Sequence, residues 1–108
     1  MKRYKQELFE MSNFFPNTTG LDYTIWVSTK SGKEKHWARI KISNTDGEAS
    51  ISISDNPEIK DKKGKIKINS TSFNKIKKFI KMNQQVLLDH WNGLIDSKEL
   101  SQKLIFLK

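Results

Sequence analysis

The sequence predicts an α+β fold in a single domain spanning residues 1–108. An antiparallel sheet of three to four strands packs on one long helix, with a short C-terminal helix and an N-terminal helix before the sheet. Three observations lead there. Between residues 21 and 54, apolar and polar side chains alternate in three successive runs, as in strands with one buried face. From residue 70 onward the apolar residues recur at three- and four-residue spacing, the helical period. At 108 residues, the chain has room for only one core.

Taken in order, Tyr4, Leu8 and Met11 fall at helical spacing and favour a short amphipathic helix within residues 2–12. Phe14 and Phe15 are expected to anchor this segment, and Pro16-Asn17-Thr18-Thr19-Gly20 reads as a turn. In the first strand, Leu21 to Ser28, Leu21, Tyr23, Ile25 and Val27 share one face, with Asp22, Thr24, Trp26 and Ser28 on the other. A polar connection through Gly32 leads to the second strand, Lys35 to Ser43. There Ala38, Ile40 and Ile42 point inward, and Lys35, Trp37, Arg39 and Lys41 point away; His36 has core parity at the strand's start.

Asp46-Gly47 is the strongest hairpin signal in the chain. The third strand, Glu48 to Ser54, turns Ala49, Ile51 and Ile53 inward. A lysine-rich connection through Gly64 then leads to Lys65-Ile66-Lys67-Ile68, expected as a fourth, edge strand whose lysines discourage edge pairing. Asn69 to Ser72 offers N-cap candidates for a helix reaching about Asn92, with Phe73, Ile76, Ile80, Asn83, Leu87 and Trp91 as its apolar stripe. Gly93 is placed to end it. Asp96 or Ser97 caps the last helix, whose apolar side is Leu100, Leu104 and Leu107.

Composition narrows the function classes. With no cysteine, disulfides, thiolate catalysis and zinc–thiolate sites are excluded. No apolar run approaches the ~18 residues of a membrane span, and the charged start, Met1 to Glu7, lacks the apolar core of a signal peptide. A cytoplasmic protein is expected. The net charge of +8 is uneven: residues 1–56 carry eight basic and seven acidic side chains, and residues 57–108 twelve and five. Such a concentration suits nucleic acid or an acidic protein surface, although lysines also solvate any surface.

Strand parity places Thr24, Trp26, Trp37, Arg39, Lys41, Ser50, Ser52, Lys65 and Lys67 on the face away from the helix. Two indoles among cations and hydroxyls form a platform for a stackable anion, as on single-stranded nucleic-acid modules. Trp26, Trp37, Arg39, Lys41, Lys65 and Lys67 are the candidate binding residues. Two structural alternatives stand beside this: the indoles pack on each other across strands, or the N-terminal segment covers the face. Catalysis is the weaker reading. His36 with Arg39 would suit a toxin-like ribonuclease, the imidazole moving the proton and the guanidinium stabilising charge on phosphorus. His90 and Asn83 are expected to be structural. Asp46, Glu48, Asp55 and Glu58 cluster only around turns, so neither a metal nor another cofactor is indicated.

Thr19-Gly20-Leu21, Ile25-Trp26-Val27-Ser28, His36 with Arg39-Ile40-Lys41-Ile42-Ser43, and Leu87-Leu88-Asp89-His90-Trp91-Asn92-Gly93 together resemble a small, widespread bacterial family of hypothetical proteins. Asp22 here replaces the proline common in that family after Thr-Gly-Leu, so this turn is expected to differ. In layout the chain is also loosely similar to the DUF4160 domain, whose members often sit in toxin–antitoxin-like gene pairs. The resemblance implies a bacterial or phage accessory protein and no particular activity; it singles out His36, Arg39 and Lys41 for testing. The leading expectation is a non-enzymatic binding module. The alternatives are the ribonuclease and an interaction or inhibitor component of a defence or toxin–antitoxin system.

Overall fold

The computed structural model describes residues 11–30 and 37–107. Its elements are β1 (Met11–Phe14), α1 (Pro16–Thr19), β2 (Thr24–Ser28), β3 (Arg39–Asn44), β4 (Gly47–Ser52), β5 (Ile59–Gly64), α2 (Ser70–Met82), α3 (Gln84–Trp91) and α4 (Ser97–Lys103). The strands form one antiparallel meander in the order β1-β2-β3-β4-β5. One face is buried by the helices. Ile25, Val27, Ile40, Ile42, Ala49 and Ile51 from the sheet join Ile76, Phe79, Ile80, Leu87, Trp91 and Leu100 in a single core.

The period-two runs account for β2, β3 and β4. Leu21 and Tyr23 are buried as their parity requires, although β2 itself begins only at Thr24. The β3–β4 hairpin turns at Thr45-Asp46, with Asn44 opposite Gly47, and Asn44 Oδ1 accepts the Asp46 amide at 2.8 Å. Gly47 also pairs with Gly64 on β5. A Cβ on Gly47 would run into the Lys63 carbonyl oxygen, and one on Gly64 into that of Asp46. The glycine of the turn signal thus also permits the close approach of a third strand.

The sheet has five strands rather than three or four, and both additions differ from the sequence reading. Met11–Phe14 is a strand, not the end of a helix; residues 2–10 lie outside the described residues. Its four residues pair along β2 from Met11–Ser28 to Phe14–Ile25, so ladder bonds override the weak helical spacing. The last strand is Ile59–Gly64, not 65–68. All six of its residues are exposed, so no buried face imposes alternation on its composition. Ile66 and Ile68 alternate for another reason. Ile66 is buried and Ile68 half-buried against the core, while the Lys65 amide bonds Asp46 O and Tyr23 Oη donates to Lys67 O. The chain passes the core here without joining the ladder.

The long helix is two. Asn83, with φ −116°, is at once the C-cap of α2 and the N-cap of α3. Its side chain is buried and makes three hydrogen bonds: Nδ2 donates to Phe79 O and Ile105 O at 2.9 Å each, and Oδ1 accepts from Ile105 N at 2.7 Å. A buried amide must find partners, and here it ties the segment after α4 to the helix junction. The predicted apolar stripe persists across the break, with Ile76, Ile80, Asn83, Leu87 and Trp91 all buried. The remaining helix ends follow the sequence. Asn69 Oδ1 caps α2 through Ser72 N, and Asp96 Oδ1 caps α4 through Glu99 N. Gly93, at φ 75°, closes α3 with bonds from Gly93 N to His90 O and Leu94 N to Asp89 O, the paired geometry of a Schellman end. Pro16–Thr19, expected as a turn, is a one-turn helix.

Candidate nucleic-acid interface

Strand register defines the outer face of the sheet. One cross-strand row runs Asn13, Trp26, Lys41, Ser50, Asp61; a second includes Thr24, Ser43, Glu48, Lys63; a third pairs Arg39 with Ser52. Trp26, Arg39 and Lys41 are therefore brought together as expected. The polar groups of Trp26 and Lys41 are engaged within the sheet. Trp26 Nε1 donates to Ser43 Oγ at 2.8 Å, and the indole is half-buried. Lys41 Nζ pairs with Glu48 at 3.1 Å. Arg39 is half-buried, and its Nε is buried with no hydrogen-bond partner among the described residues.

Trp37 is separated from this cluster. Trp26 lies opposite Lys41, four residues from Trp37, or about 13 Å of extended chain. The two indoles are not cross-strand neighbours. Trp37 precedes β3 and is 83% exposed. It lines a groove of about 250 Å³ with Ala38, Ser52, Ile53, Ser54, Glu58, Lys60 and Leu88. Lys65 and Lys67 are exposed but follow β5 rather than extending a strand, so they are not part of the sheet-face rows. His36 lies outside the described residues.

The groove beside Trp37 is shaped by Ser52. Its amide donates to Glu58 O at 2.9 Å, and its Oγ accepts from Glu58 N at 2.9 Å. Both backbone groups of Glu58 are thus held by one serine, which closes the β4–β5 loop and fixes where the Glu58 and Lys60 side chains emerge. Ser52 Oγ and Ser54 Oγ are 3.2 Å apart, lining the groove with hydroxyls. Lys60 Nζ contacts Glu58 Oε1 at 2.9 Å. That hydrogen bond, and then the ammonium charge, hold the Glu58 carboxyl below its ordinary pKa. Like any exposed glutamate, Glu58 is an anionic acceptor at neutral pH.

On the other side of the same loop lies a groove of about 340 Å³. Asp55, Asn56 and Pro57 form one wall, and Asn74, Lys77, Lys78, Lys81 and Met82 the other. Three of the lysines that make the C-terminal half basic therefore converge on one cleft, and the β4–β5 loop separates it from the Trp37 groove. In the sequence these lysines register only as charge, with nothing that groups them with the aromatic residues. Helical spacing of Lys77, Lys78 and Lys81 was the available signal; the loop that faces them comes from a distant part of the chain.

His90 is buried, with Nε2 3.3 Å from Ser97 Oγ; it and Asn83 serve separate structural contacts. Among the described residues no group of three or more His, Asp or Glu side chains could hold a metal ion, and no helix is long and apolar enough to cross a membrane. No protein-family model matches the chain, and no curated protein or solved structure does either.

Proposed function

We propose that this protein is a small non-enzymatic module that binds single-stranded nucleic acid. The indole of Trp37 and the outer sheet face supply stacking and hydroxyl contacts, and Lys60, Lys77, Lys78 and Lys81 supply charge. The observation that carries this reading is the 83% exposure of Trp37 beside a groove that also holds Lys60. An exposed indole presents a π-face to a base, and a base stacked on an aromatic side chain contributes ~1–3 kcal/mol irrespective of sequence. The lysine cleft across the loop supports a backbone path leading away from the stacked base. Trp26 plays a smaller part, because its indole is half-buried in the sheet.

The test is a titration of labelled single-stranded RNA and DNA, followed by Trp fluorescence and by anisotropy at two salt concentrations. With roughly three to five phosphates neutralised, affinity falls on the order of 10- to 100-fold between about 50 and 200 mM salt. Absence of binding at the lower salt overturns the proposal. Binding to an acidic polypeptide but to neither nucleic acid replaces it with an acidic protein partner.

A further inference from the structure

Resting on this nucleic-acid reading, we infer that the groove beside Trp37 is a base-specific subsite that selects guanine through Glu58. Its volume leaves room for one ring system. At about 250 Å³ it is smaller than the ~300–1,000 Å³ clefts that enclose drug-sized molecules. Its composition is that of a stacking slot with a polar edge. The indole of Trp37 and the apolar Ile53 and Leu88 supply faces for a planar ring, while Ser52, Ser54, Glu58 and Lys60 supply the rim.

The polar groups of that rim carry the discrimination. A carboxylate offers two acceptor oxygens and, when ionised, no donor. Lys60 contacts Glu58 Oε1, and the carboxylate's remaining acceptor capacity suits a ligand edge rich in donors. Guanine presents N1–H and the N2 amino group side by side, which one carboxylate accepts together. Adenine and cytosine each offer a single amino group, and uracil opposes the carboxylate with carbonyl oxygens at O2 and O4. Lys60 has the opposite role at the same rim: an ammonium suits the phosphate of the stacked nucleotide and offsets the repulsion that Glu58 would exert on a polyanion.

The experiment compares short oligouridine RNA with the same RNA carrying one central guanosine, both end-labelled, by anisotropy. The guanosine RNA is expected to bind about tenfold tighter or more, the range of a good bidentate base contact. Glu58→Gln brings the ratio of the two affinities close to one, and inosine in place of guanosine loses part of the gain. Trp37→Ala weakens both RNAs. Equal affinity of wild-type protein for the two RNAs overturns the guanine subsite while the proposed function stands. Failure of both RNAs to bind overturns the proposed function itself. A ratio unchanged by Glu58→Gln removes Glu58 as the selecting residue and overturns the inference in that form.

Discussion

Along β3, Ile40 and Ile42 are within 1% of complete burial, whereas Arg39, Lys41 and Ser43 on the other side remain only partly covered. The inner face meets Phe79, Ile80 and Leu87 in a single core. Among the described residues, the outer face meets its cross-strand neighbours and is only partly covered. A sheet fully buried on one side and only partly covered on the other separates two demands that a doubly covered sheet must satisfy together. Stability is concentrated on the inner side, and the outer side can change its chemistry at little cost to folding. The outer side is not uniform, though. In its middle, Trp26 and Lys41 are tied to Ser43 and Glu48; at the mouth of β3, Trp37 stands at the rim of a groove.

The largest effect expected from breaking this comparison is on the inner face. Ile42→Ala leaves a cavity where a side chain is fully buried, at a cost of about 2–5 kcal/mol in urea unfolding, with nucleic-acid affinity of the remaining folded protein unchanged. An equal loss of stability from Lys41→Ala would erase the distinction between the faces. Trp37→Ala has the opposite profile: unfolding free energy stays within about 0.5 kcal/mol, while binding weakens by about 1–3 kcal/mol in the fluorescence titration. Trp26→Phe falls between the two. It removes the donor to Ser43 Oγ and lowers stability by about 0.5–1.5 kcal/mol, with a smaller effect on binding than Trp37→Ala.

The smallest effect is a titration. Glu58 carries a lowered pKa because Lys60 hydrogen-bonds and charges its surroundings, so the carboxylate is favoured in the folded protein. The associated stabilisation is present above the ordinary glutamate pKa and is lost as pH falls through the lowered folded value. Carboxyl-selective NMR should place the Glu58 midpoint below that of a free glutamate, and Lys60→Ala should return it upward. A midpoint unmoved by Lys60→Ala would show that the rim pair does not set the charge of Glu58.

How much of this was legible depended on whether burial wrote a period into the chain. In β2, β3 and β4 one face is buried, so alternation reported both the strands and their inward residues. The caps at Asn69 and Asp96 and the end at Gly93 were legible because each rests on bonds within a few residues. β5 was hidden because neither of its faces is buried, and β1 because its place depends on the β2 ladder. The break at Asn83 announced itself only as a polar residue on an apolar stripe. Ile105, which completes its hydrogen bonds, is 22 residues further on.

The candidate site divides in the same way. By itself the sequence determined the core side of each central strand, the basic C-terminal half and the outward parity of Trp26, Arg39 and Lys41, because charge and strand period are local properties. Only the tertiary structure decided that Trp37 stands apart from Trp26, that Lys65 and Lys67 leave the sheet, and that Glu58 and Lys60 share a groove with Trp37. Those outcomes depend on register and on how the β4–β5 loop closes over Ser52. Both are set by contacts between residues far apart in the chain, which no local period records.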